Sequence, residues 1–178
     1  MGTFIALLRG INVGGHNQLP MVTLRELLTA LGYRDVVTYI QSGNVILDSD
    51  DDPTEIATTI EASLAGDLGL DVAVIIRTPA EVPAAVTASP YVAYPDPSRV
   101  FIAFLAASPD PAAVAATDPH TYDPDTFAVV GREVHVHCPS GLGRSKLSNA
   151  WLERQLGVPS TMRNLNSVGR ILALAEAR

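Results

Sequence analysis

Four short strings in this chain combine glycine, cations and polar side chains in ways suited to holding an anion. The first is Leu8-Arg9-Gly10-Ile11-Asn12-Val13-Gly14-Gly15-His16-Asn17. Its glycines permit positive φ and leave backbone N–H groups able to face a ligand, with Arg9 at the strand end and Asn12 inside the loop. It is not a P-loop, because GxxxxGKS/T is missing, and its spacing does not fit GxGxxG. The same glycines also suit a plain strand-to-helix turn. The second string, Tyr39–Val45, carries Gln41, Ser42 and Asn44 around Gly43, a turn composition in its own right. The third, Pro139–Leu147, offers Gly143, Arg144, Ser145 and Lys146. Reading Ser145 as a helix N-cap puts two cations against the positive end of a helix dipole, a placement that costs stability unless an anion answers it. The fourth, Thr161–Asn166, supplies Arg163 and Asn164, with Thr161 read as the cap of the last helix.

Other chemistry finds less support. His135 and His137 alternate on one strand face and such a pair can ligate a metal, but no further histidine or carboxylate lies near in sequence. A half-exposed strand accounts for them, so no metal site is expected. There is no Ser-His-Asp order, and Gly141–Gly143 is not GxSxG. Without a nucleophile or base to name, any catalysis would rest on electrostatic stabilisation, and neither enzyme status nor cofactor follows.

The composition bounds the partners. The chain has 178 residues, 47% of them hydrophobic and 17% charged, a globular balance with a net charge of −7. Charge is segregated: eight acidic residues and no basic one fall between Asp48 and Asp71, whereas Arg132–Arg178 holds seven basic against three acidic. An acidic total argues against wholesale coating of nucleic acid. Lys146 is the only lysine among twelve basic residues, a position where a compact point charge replaces the usual fork. A single cysteine, Cys138, rules out an intrachain disulfide and suits a reducing cytoplasm. The run Phe4–Leu8 is too short for a signal-peptide core, and no stretch approaches the roughly 20 apolar residues of a membrane span.

The elements that must position these strings read as α+β. Thr3–Arg9 is an apolar strand buried on both sides, Gly10–Gln18 a loop, and Pro20–Leu31 a helix with Leu24, Leu27, Leu28 and Leu31 on one stripe. Val36–Gln41 and Val45–Leu47 form a hairpin, a capped helix runs to Leu68, and Asp71–Arg77 is a fourth strand. This β-α-β-β-α-β order is the ferredoxin-like arrangement, with expected strand order 4-1-3-2. Gly10–Gln18 and Gln41–Asn44 then share one edge, and the acidic Asp48–Asp52 loop lies at the other. After a Pro-rich connection over 79–97, a second lobe over 98–178 follows. It reads as β-α-β-β-α, with Arg99–Ala106, Pro109–Ala116, Thr126–Val130, Glu133–Cys138 and a helix Ser145–Leu156. A terminal helix Arg163–Ala177 stands where the final strand of a copy would be. Duplication of the first lobe (1–78) would explain the likeness, although no sequence repeat stands out.

Leu7–Gly15, Tyr39–Val45, Gly143–Leu147 and Thr161–Asn166 together resemble the domain-of-unknown-function 1697 family of bacterial proteins. That resemblance implies a two-lobed, ferredoxin-related fold and assigns no reaction or cofactor. Its pattern would place an aromatic at Leu165 and Thr at Ser167. The leading expectation is a binding protein or modest enzyme that takes a small anionic ligand, phosphorylated or not, in a cleft built from the Gly-rich loops. Single-stranded nucleic-acid binding is the second, disfavoured because strand one offers only Phe4 and strand three no aromatic for stacking. A protein-interaction or dimerisation module is the third. The oligomeric state does not follow from the residues.

Overall fold

The computed structural model describes residues 1–177. The chain divides into two compact units, Met1–Glu81 joined by the end of the last helix from Ile171, and Val82–Arg170.

The first unit contains β1 (Gly2–Leu8), α1 (Met21–Ala30), β2 (Arg34–Tyr39), β3 (Asn44–Ser49), α2 (Pro53–Leu68) and β4 (Val74–Arg77). The strands form one antiparallel sheet in the order β2-β3-β1-β4, which is the expected order. Because strand side chains alternate, Ala6 and Leu8 of β1, with Val45, Leu47, Val74 and Ile76, face a core completed by Leu24 and Leu28 of α1 and Ile56, Ile60 and Leu64 of α2. The residues of opposite parity, Ile5, Leu7, Ile46 and Ile75, are buried as well. β1 therefore hides both faces, as its unbroken apolar run implies. α2 begins where the acids suggest: Asp52 accepts hydrogen bonds from Thr54 N–H and Glu55 N–H, and Glu55 reaches back to Asp52 N–H. In α1 the buried stripe is Met21, Leu24 and Leu28, while Leu31 falls at the helix end and is exposed.

The second unit follows α3 (Glu81–Ala88), whose second residue opens it. Its elements are β5 (Val100–Leu105), α4 (Pro111–Ala116), β6 (Thr126–Val130), β7 (Glu133–His137), α5 (Asn149–Leu156) and β8 (Ser160–Asn164), and α6 (Leu165–Glu176) starts here. Strand order is β6-β7-β5-β8, the order of the first sheet. Two expectations are corrected. The final strand is present, because Ser160–Asn164 pairs with β5 over five residues and satisfies an edge that would otherwise be bare. The last helix therefore begins at Leu165 rather than Arg163. The helix expected at Ser145 begins at Asn149 instead, since Ser148 Oγ accepts from Trp151 N–H. Ser145 Oγ accepts from Leu147 N–H, a local turn that competes with helix.

The strand register also exposes a repeat that the sequence reading missed. Phe4-Ile5-Ala6-Leu7-Leu8 and Phe101-Ile102-Ala103-Phe104-Leu105 are identical at four of five positions. They hold matching places: Ile5 pairs with Ile46 and Arg77, and Ile102 with His135 and Arg163. Arg77 Nη1 donates to the Ile76 carbonyl at 2.9 Å, and Arg163 Nη1 to the Met162 carbonyl at 2.9 Å. The two sheets share one template. Five residues are too few to stand out against a background rich in apolar runs.

His135 and His137 are not on a half-exposed strand. β7 lies between β6 and β5, and burial leaves His135 fully inaccessible and His137 8% exposed. Among the described residues neither ring nitrogen of His135 has a hydrogen-bond partner, and desolvation lowers its pKa from 6.5 to about 4. The folded state thus holds the neutral imidazole, and its contribution is complete above pH 6.5 and lost as pH falls toward 4, where only the unfolded chain readily takes the proton. Urea unfolding should show a loss of about 2 kcal/mol from this site between pH 7 and pH 5. His135→Leu should remove that component of the pH dependence; an unchanged slope would refute it.

Candidate functional site

In the first unit, Leu8 N–H donates to the Gly43 carbonyl at 2.8 Å, so the β2–β3 hairpin and the loop after β1 begin at one edge, as expected. Gly10, Asn12, Gly14, Gly15 and Asn17 all adopt positive φ, which lets the loop fold tightly on itself. Asn12 binds the two segments together. Its Nδ2 donates to the Gln41 carbonyl at 2.7 Å and the Leu19 carbonyl at 2.9 Å, while its Oδ1 accepts from Leu19 N–H at 2.8 Å. Asn44 is fully buried and donates to the Tyr39 carbonyl and to Ser42 Oγ, each at 3.0 Å. Both amides are thus structural cross-braces. Gly43 must be glycine, because a Cβ there would lie 2.7 Å from Ile11 Cδ1 and 2.8 Å from Leu8 Cβ. What remains is a recess of about 490 Å³ lined by Asn12, Gly15, Gln18, Leu19, Pro20 and Gln41, with Arg9 half-buried at the strand end and Gly14 exposed nearby in sequence. The lining carries no charged group.

The second unit supplies charge. After β7, Cys138 N–H donates to the Arg99 carbonyl at 2.9 Å, and the chain turns through a single 3-10 turn at Leu142–Arg144. Arg144 and Lys146 are both exposed, and both line a recess of about 480 Å³ with Thr121, Tyr122, Asp123, Pro124, Asp125 and Ser140. Lys146 Nζ lies 5.8 Å from the Tyr122 ring centroid, within reach of a cation–π attraction. Asp123 Oδ1 sits 3.0 Å from His120 Nδ1, and the Asp123–Pro124 peptide is cis. Neither Arg144 nor Lys146 forms an ion pair among the described residues. Gly143 is exposed between them and Leu142, and Ser145 is held in its local turn. The late start of α5 means that these cations do not sit at a helix N-terminus; they stand on the loop before it.

Arg163 and Asn164 are not in the lining of this recess. Arg163 lies on β8, where Nη1 also donates to Thr161 Oγ1 at 2.7 Å. Burial draws its pKa down to about 10, which leaves it cationic at neutral pH. Asn164 Oδ1 accepts from Ser167 N–H at 2.8 Å and so caps α6, the role first given to Thr161. Tyr122, Asp123 and Asp125 were missed from sequence. The available signal was the run Asp118–Asp125, with two Asp-Pro steps marking a built loop.

The model of the family described as "Protein of unknown function (DUF1697)" matches residues 1–135. The chain belongs to this family. The matched span covers Met1–Glu81 of the first unit and the second as far as β7, and it ends before Gly143–Leu147 and Thr161–Asn166. Among solved structures, the conserved bacterial protein SP0830 from Streptococcus pneumoniae is similar, with 22% identity, a TM-score of 0.76, and coverage of 97% of this chain and 98% of that one. At that identity the likeness establishes the fold alone: a mixed α+β chain with two four-stranded antiparallel sheets. No curated protein matches the sequence. Among the described residues, no helix is long and apolar enough to cross a membrane.

Ile40, beside Gln41, is a β-branched residue held at φ +50° with half its surface exposed. That conformation costs such a side chain about 1–2 kcal/mol. Ile40→Asn keeps the turn and relieves the strain, and should raise the unfolding free energy by about 1 kcal/mol in urea titrations. A decrease would mean that the exposed isoleucine is held by contacts that outweigh its backbone.

Proposed function

We propose that this chain binds a small anionic ligand, carboxylated or phosphorylated, through the recess of its second unit. The observation that carries the reading is that Arg144 and Lys146 line one hollow without a carboxylate partner of their own among the described residues. An anion placed there would receive charge-assisted hydrogen bonds from a planar fork and a point charge. Asp123 and Asp125 line the same hollow and favour an anion that also carries hydroxyl or amino donors. Tyr122 supplies an apolar surface beside the ammonium. Ser140 offers a hydroxyl on the same lining. The uncharged recess of the first unit, with Asn12, Gly15 and Gln41, is read as a separate polar site.

The same reading takes each half as ferredoxin-like, supported by the shared strand order and by two helices among the strands of each. The boundaries 1–78, 79–97 and 98–178 and a cytoplasmic setting belong to it too. No group in the recess is placed as a nucleophile, so binding rather than catalysis is the claim.

The test is equilibrium titration of the full chain with inorganic phosphate and common nucleotides. Saturable binding is expected, weakening as ionic strength rises. Lys146→Ala and Arg144→Ala should each weaken it about tenfold or more, the scale of one charge-assisted hydrogen bond. Absence of saturation, or affinity indifferent to both substitutions, would overturn the proposal.

A further inference from the structure

A second hollow in the second unit, of about 610 Å³, is lined by Tyr94, Pro95, Asp96, Arg99, His137 and Pro139. Its aromatic wall is assembled in advance. The Tyr94 and His137 rings lie with centroids 3.7 Å apart and planes inclined by 37°. Tyr91 meets Tyr94 edge-on at 6.0 Å and stacks toward His137 at 5.8 Å. The Tyr91 hydroxyl lies 3.4 Å from Thr126 Oγ1. Despite these partners Tyr94 remains 45% exposed. A large ring fixed by two neighbours and still open to water is a stacking surface whose ordering cost has already been met in folding.

The polar wall is also fixed before any ligand arrives. Asp96 Oδ1 accepts from Ser98 N–H at 2.9 Å and Ser98 Oγ at 2.6 Å, and these bonds, with Arg99 nearby, hold its carboxyl below the usual carboxylate range. Asp96 Oδ2 lies 3.4 Å from Arg99 Nε, which orients the guanidinium while leaving 42% of that side chain exposed. Arg99 Nη1 lies against the backbone of Gly141, where any Cβ would collide with it. Gly141 is at φ +86°, so glycine suits this close approach twice over. The hollow therefore presents an acceptor-only carboxylate beside donor-only guanidinium nitrogens, next to an aromatic face. Their charges balance, which disfavours a simple ion.

We propose that this hollow binds a neutral, planar heteroaromatic ring that carries a carbonyl acceptor next to N–H donors, the pattern of the guanine base. The ring would lie against Tyr94, its N–H groups donating to Asp96 and its carbonyl accepting from Arg99. Adenine presents an amino group where guanine presents the carbonyl, and so would set donor against donor at Arg99. The site shares no lining residue with the Arg144–Lys146 recess, so the two proposals stand or fall separately.

The experiment is a nuclear magnetic resonance titration of the full chain with guanosine and, in parallel, adenosine, each to its solubility limit. Nucleosides carry no phosphate and leave the cationic recess out of the readout, which a separate titration with inorganic phosphate reports. Guanosine should saturate and adenosine should bind at least about tenfold more weakly. Tyr94→Ala should weaken guanosine binding about tenfold, the scale of one stacked base. Asp96→Asn should erase the preference for guanosine, and Arg99→Lys should weaken guanosine more than adenosine. The proposal is overturned if guanosine does not saturate, if both nucleosides bind alike, or if Tyr94→Ala leaves affinity in place.

Discussion

Each half of this chain is organised around a strand that has no face to show to water. β1 and β5 each lie inside their sheet between two neighbours, and Ile5–Leu8 and Ile102–Leu105 are buried on both sides. Those two runs carry no charged side chain, and their backbone groups are paired by the two neighbouring ladders. Polarity is thereby driven to the strand ends. Arg9 and the Gly10–Gln18 loop stand at one end of β1, and Arg99 and its partners stand where β5 begins. The clustering of reactive-looking residues in turns is a direct result of this exclusion.

Sequence patterns revealed what depends on local chemistry or on an unbroken apolar run. The first sheet, its strand order and the capping box at Asp52 were legible because hydrophobic period and cap residues agree there. β8 was not, since Ser160–Asn164 has little apolar content and becomes a strand through pairing with β5, a tertiary effect. The start of α5 was placed too early, at Ser145, for another reason: Ser148 suits a cap equally, and only the fold decides which hydroxyl meets a helical N–H. Burial of His135 was hidden because a central and an edge strand can carry the same Glu-Val-His-Val-His pattern.

The candidate site shows the same division. Asn12, Asn44, Arg163 and Asn164 have the residue types of a binding site, yet each has its polar atoms engaged in bracing a loop, a strand or a helix end. Residue type reports capacity for hydrogen bonding and says nothing of where that capacity is satisfied. Arg144 and Lys146 differ because they line a hollow shared with Tyr122 to Asp125, which come from a loop about twenty residues away in sequence. Composition alone had no means of linking those segments.

The shared template of the two sheets has a consequence of its own. Ile46 and His135 occupy the same lattice point in otherwise matching frameworks, as partners of Ile5 and Ile102. One framework keeps an aliphatic group at that point and the other an imidazole of comparable bulk, so a matched pair of environments exists within a single polypeptide. The molecule carries its own internal control: whatever the ring nitrogens add to or subtract from cohesion can be read by exchanging the two side chains between equivalent addresses.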